Sequence, residues 1–150
     1  MKLEKSCGAV LFREDGSRRY LILKSVKGHW SLCKGHVEGG ETEHETATRE
    51  IREETALSVD FVENFRAVIT YSPYPGCMKD VVFFLARVTG GTLTCQPEEV
   101  AEAEFLPYEA AIRRLTHQSD REVLKKAETF LAEQERNPEK TSGLFEENRI

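Results

Sequence analysis

The sequence predicts a mixed α+β (α/β) domain in which one β-sheet is sandwiched between helices. Three observations point there. Apolar strand-like runs lie both before and after an isolated amphipathic helix, two further helical patterns follow the last run, and glycine- and proline-rich breaks separate the segments. A chain of 150 residues is long enough for one domain with a sizeable core.

The first strand is expected over residues 7–12, a near-continuous apolar run. Asp15-Gly16 marks a turn, and residues 20–23 form a second run, so the two read as a hairpin. Thr42 and Glu45 form a T-x-x-E capping box that opens a helix over residues 42–55. Phe65, Ala67, Ile69 and Tyr71 alternate with Arg66, Val68 and Thr70, the period of a strand, which the turn Ser72-Pro73-Tyr74-Pro75-Gly76 ends. Residues 81–88 are apolar on both faces except Arg87, which predicts a central strand closed by Gly90-Gly91. Pro107 suits the first position of a second helix, with Ala111, Ile112 and Leu115 on one stripe. Val123, Leu124, Ala127, Phe130 and Leu131 place a third helix over residues 120–134, and Asn137-Pro138 stops it. Residues 1–136 are thus read as the domain and 137–150 as a polar, mobile tail.

Composition excludes several functional classes. No apolar run approaches the ~20 residues that span a bilayer. The opening Met1-Lys2-Leu3-Glu4-Lys5-Ser6 is too short and polar for a signal peptide, which predicts a soluble cytoplasmic protein. A formal charge of −5 argues against a broad nucleic-acid surface, though not against a small anionic ligand. Cys7, Cys33, Cys77 and Cys95 match no zinc spacing and are expected to be free thiols.

The segment 35–57 is the most unusual. On a helix, residues at i, i+3 and i+4 share a face, so Glu50, Glu53 and Glu54 project side by side. Such a cluster is either a solvated acidic face or a site for a hard cation that prefers oxygen ligands. Immediately upstream, Gly35-His36-Val37-Glu38-Gly39-Gly40-Glu41 is a glycine-rich loop feeding a helix N-terminus, which suits phosphate.

Gly35, five residues, Glu41, seven residues, then Arg49-Glu50-Ile51-Arg52-Glu53-Glu54-Thr55-Ala56-Leu57 resembles the box of the Nudix hydrolases, G-x5-E-x7-R-E-U-x-E-E-x-G-U, with U aliphatic. Every specified position matches except the final glycine, where Ala56 stands. The resemblance covers about residues 6–130 and implies the Nudix fold, a mixed sheet between helices. It implies that Glu50, Glu53 and Glu54, with the carbonyl of Lys34, hold Mg²⁺ or Mn²⁺, and that Arg49 and Glu41 orient them. The implied reaction is attack of water on a phosphoanhydride, with Glu54 or Glu99 as the base and Glu53 and Arg49 among the catalytic set. Glu98 and Glu102 compete with Glu99.

The flanks narrow the substrate. Residues 29–38, His29-Trp30-Ser31-Leu32-Cys33-Lys34-Gly35-His36-Val37-Glu38, resemble the H-W-T-P-P-K-G-H-V-E stretch of the asymmetrical diadenosine tetraphosphate hydrolases within that family. Two prolines of that stretch are here Leu32 and Cys33. The resemblance implies His29, Lys34 and Lys79 as phosphate contacts and Tyr71 as the residue that stacks on a base, with Tyr74 as its competitor. The expected reaction is diadenosine tetraphosphate to ATP and AMP. Alternatives are another Nudix substrate (ADP-ribose, a diphosphoinositol phosphate, an oxidised dNTP or an RNA 5′ end) or a non-catalytic nucleotide-binding module. His44, His117 and Met78 read as ordinary surface or packing residues.

Overall fold

The computed structural model describes residues 1–137. The expectation of a tail falls, beyond Asn137, outside the described residues.

Eight strands and three helices follow in the order β1 (Lys2–Glu14), β2 (Arg18–Ser25), β3 (Trp30–Ser31), β4 (Cys33–His36), α1 (Glu43–Thr55), β5 (Ser58–Phe61), β6 (Ala67–Tyr71), β7 (Cys77–Gly90), β8 (Val100–Leu106), α2 (Tyr108–Arg114) and α3 (Gln118–Arg136). Strand β1 is the spine of the mixed sheet. It runs parallel to β7 from Lys2↔Cys77 to Phe12↔Arg87. Its last residues pair antiparallel with β2, and its middle pairs antiparallel with β4 from Ser6↔His36 to Ala9↔Cys33. Strands β5 and β6 pair with β7, while β3 and β8 pair with β2.

The period-2 alternation of side chains divides the core in two. Val10, Phe12, Tyr20, Ile22, Val81, Phe83 and Leu85 face α2 and α3. Cys7, Ala9, Leu11, Leu21, Leu23, Val82, Phe84 and Ala86 face the other way, onto Ala47 and Ile51 of α1. Both faces of the central strands are therefore buried, which is why they read as unbroken apolar runs.

Several boundaries differ from expectation. β1 and β7 extend beyond their apolar runs because the segments Lys2–Lys5 and Cys77–Asp80 pair with each other. Residues 100–106, for which the sequence pattern predicts no element, form β8; the strand's acidic side chains are exposed or half-buried, and Glu102 meets Lys24 of β2 at 3.3 Å. β3, β4 and β5 carry only two to four residues each, too short for a periodic pattern. Phe65 lies outside β6 and packs edge-on against Phe130. Pro107 is the residue before α2, not its first.

Candidate functional site

The acidic helix is anchored at both ends. The Thr42 hydroxyl accepts from the Glu45 backbone N–H (3.1 Å), and the Glu45 carboxylate accepts from the Thr42 N–H (2.8 Å), the capping box expected from sequence. At the other end Ala56 is left-handed (φ 61°, ψ 15°), a conformation that favours glycine, and its N–H donates to the Arg52 carbonyl.

Arg49 ties the carboxylates together. Its Nε–H donates to Glu41 Oε2 (2.7 Å), and its Nη2 donates to Glu41 Oε1 (3.1 Å) and to the His36 carbonyl (2.8 Å). Its Nη1 donates to Glu50 Oε2 (2.9 Å) and Glu53 Oε1 (3.1 Å). Glu41 also accepts from the Glu38 backbone N–H and the Thr46 hydroxyl. The Arg49 hydrogen bonds, with that backbone donor, hold the Glu41 carboxyl at about 2. One guanidinium fork thus fastens the glycine-rich loop to the helix.

Gly35 has no side chain for a specific reason. A Cβ there would lie 2.0 Å from Glu50 Cδ, so the Glu50 carboxylate fills the space a side chain would take. Burial raises the Glu50 carboxyl above its ordinary value, against the pull of Arg49. Burial pushes Glu54 up to about 7; a hydrogen bond from Cys33 opposes the shift, and the charges of Glu50 and Glu99 add to it. A buried carboxylate with acidic neighbours and no ion pair among the described residues is the environment a hard cation relieves. Among the described residues, no three His, Cys, Asp or Glu side chains are gathered closely enough to form a ready-made metal cage, because Arg49 draws Glu50 and Glu53 toward itself. The donor set, all carboxylate oxygen, nonetheless suits Mg²⁺ or Mn²⁺ and no soft metal.

Two adjoining clefts meet at Lys34. The smaller, about 170 Å³, is lined by Ser25, Ser31, Lys34, Glu54 and Glu99, so both candidate bases face one space. The larger, about 570 Å³, carries His29, Lys34, Ile69, Tyr71, His117 and Asp120 among its walls. Tyr71 is 42% exposed, its ring available for stacking. Tyr74 is similarly exposed but does not line this cleft; its hydroxyl donates to Glu4. Lys79 pairs with Tyr71 across β6 and β7, is only 9% exposed, and is not among the lining residues. Burial, and then the charge of Lys34, lower its ammonium below the usual lysine value. Two lysines that repel each other beside a cleft favour an anion between them.

Sequence reasoning missed Ser25, Ser31, His117, Ser119 and Asp120. The Trp30 N–H donates to the Thr116 hydroxyl (2.8 Å) and the Thr116 N–H to the Trp30 carbonyl (3.0 Å). That clasp brings the α2–α3 connection onto β3 and sets the His117 ring edge-on to His29 at 5.4 Å. Asp120, 4% exposed, has its carboxyl raised by burial. The helical pattern of residues 120–134 carried one signal that could have found it: a carboxylate in the first turn, on the buried face.

A sequence model described as the NUDIX domain matches residues 2–127. The asymmetrical bis(5′-nucleosyl)-tetraphosphatase of Mus musculus is 34% identical over 96 residues, which are 56% of this chain and 65% of that protein. An 8-oxo-(d)GTP phosphatase of Mycolicibacterium smegmatis is 39% identical over 97 residues, 65% of this chain but 29% of that protein. The chain therefore spans less than two thirds of the length of these curated relatives. Among solved structures, a C. elegans Ap4A hydrolase in a binary complex superposes with a TM-score of 0.79 at 27% identity, covering 87% of this chain and 98% of that one.

Proposed function

Because this chain belongs to the Nudix family, we propose that it is a divalent-metal-dependent hydrolase of nucleoside-linked phosphoanhydrides, and that its substrate is diadenosine tetraphosphate, cut to ATP and AMP. The observation that carries this reading is the pair of clefts joined at Lys34: a carboxylate chamber with Glu54 and Glu99 opens beside a wider cleft with Tyr71 and His29. A polyphosphate lying across Lys34 reaches both.

Glu50, Glu53 and Glu54, with the Lys34 carbonyl, are the groups that would hold Mg²⁺ or Mn²⁺. When bound, the ion neutralises phosphate charge and makes water a better nucleophile. Arg49 and Glu41 keep Glu50 and Glu53 aimed, a role supported by the hydrogen bonds of Arg49 to all three carboxylates. Glu54, pushed up to about 7 by burial, or Glu99, which lines the same chamber, takes the proton of the attacking water. Lys34, Lys79 and His29 orient the phosphate chain, and Tyr71 stacks on the base at one end, a contact worth ~1–3 kcal/mol.

The 39% identity to an 8-oxo-(d)GTP phosphatase favours a second reading, hydrolysis of an oxidised nucleoside triphosphate in the same clefts. A nucleotide panel with Mg²⁺ or Mn²⁺, products resolved by chromatography and Glu53→Gln as control, separates the two. Preferred turnover of diadenosine tetraphosphate to ATP plus AMP, lost in the control, supports the first. A preference for oxidised dGTP replaces it with the second. No turnover with either metal leaves a nucleotide-binding module.

A further inference from the structure

Among the described residues, Ser25, Ser31 and Lys34 are the three that line both clefts. Strand pairing puts the serines there. Ser31 of β3 stands opposite Leu23 of β2, so the two side chains share a sheet face, and Ser25 follows on that face two residues along β2. The pairing of β2 with β8 runs from Lys24↔Glu102 to Ser25↔Val100, a bulge that skips Ala101 and brings Glu99 in beside Ser25. The Glu99 carbonyl accepts from the Val26 N–H (3.1 Å), which holds that approach.

The three shared residues are all donors. The Ser25 hydroxyl accepts from the His29 N–H (3.2 Å), which leaves its own proton to donate. Neither serine hydroxyl donates to an acceptor among the described residues, and Lys34 forms no salt bridge among them. The clefts differ in what they can take. The smaller, about 170 Å³, lies below the ~300 Å³ at which pockets begin to take drug-sized ligands, so it admits a phosphoryl group but not a nucleoside. The wider one, about 570 Å³, has room for a nucleoside.

We infer that Ser25 and Ser31 are phosphate-binding residues: with Lys34 they hold the scissile phosphoryl group where the two clefts join, and so select which anhydride of the chain meets Glu54 and Glu99. The inference rests on the hydrolase reading for its consequence, not for the binding of an anion at the junction.

Methylenebisphosphonate, a pyrophosphate with carbon in place of the bridging oxygen, cannot be cut at that bridge and serves as the probe. In calorimetry with saturating Mg²⁺ it should bind the wild type, and bind Ser25→Ala and Ser31→Ala about tenfold more weakly, the loss of one hydrogen bond to a charged group. Ser31→Thr, which keeps the hydroxyl, should stay within about threefold of wild type. Alanine variants that bind the probe as the wild type does, a wild type that does not bind it, or a threonine variant as weak as the alanine one each overturn the assignment. On the best nucleotide of the panel, KM should rise by a similar factor in Ser31→Ala at unchanged kcat. The double alanine variant should release a second pair of products, from cleavage at the neighbouring anhydride. A single product pair with unchanged KM overturns the selection of the anhydride. If the wild type turns over nothing, the hydrolase reading fails, while binding of the probe still decides the role of the two serines.

Discussion

Replacing Glu54 with glutamine should flatten the pH dependence of stability in the metal-free protein. The carboxyl titrates near 4.5 when solvated and at about 7 in the folded chain. Below pH 4.5 it is neutral in both states and costs nothing. Between pH 4.5 and 7 the unfolded chain loses the proton while the folded chain keeps it, so stability falls as pH rises through that window. Above pH 7 the full penalty stands, roughly 3 kcal/mol for a shift of this size. Urea unfolding in EDTA at pH 5 and pH 8, with wild type beside Glu54→Gln, isolates the effect because every other titrating group is common to both. The wild type should lose about 2–3 kcal/mol more than the variant between the two pH values. Saturating Mg²⁺ at pH 8 should recover part of the loss, since an ion that binds only the folded state stabilises it. Parallel pH profiles for the two proteins would refute the reasoning, by showing that the Glu54 carboxylate is solvated as well in the fold as out of it.

Three further outcomes are expected. Ala56→Gly should stabilise the chain by about 0.5–1 kcal/mol, because a left-handed non-glycine residue costs about 1–2 kcal/mol and the glycine gives back part of that as entropy; denaturant midpoints would reveal it, and a loss of stability would count against the left-handed cap. Arg49→Lys keeps the charge but cannot reach Glu41, Glu50, Glu53 and the His36 carbonyl together. Turnover should drop about 10- to 100-fold with little change in folding, as judged by circular dichroism. Tyr71→Ala should weaken nucleotide binding by roughly 1–3 kcal/mol while Tyr71→Phe stays near wild type, measured by calorimetry with a non-hydrolysable dinucleotide; equal losses would mean that the hydroxyl, not the ring, makes the contact.

The carboxylate helix was legible in the linear sequence because a helix is a local object. The Thr42 and Glu45 cap, the i, i+3, i+4 spacing of Glu50, Glu53 and Glu54, and the glycine loop before them all lie within a span of about two dozen residues, and backbone hydrogen bonding alone brings them onto one face. The same holds for the strands around Val10, Ile22 and Phe83, whose burial on both sides leaves an unbroken apolar run. What the sequence left open was decided by pairing across the sheet and packing between layers. The short β4 exists because β1 supplies its hydrogen bonds, and β8 exists because β2 does. Lys34 and Glu99 line one cleft, and His29 meets His117, only after those pairings and the Trp30–Thr116 clasp have closed. The burial that sets Glu54 near neutral pH and the carboxylate of Asp120 in the wider cleft are likewise long-range facts. A residue's type and its near neighbours fix which chemistry it can perform. Its solvation and its partners come from parts of the chain that only the folded sheet brings together.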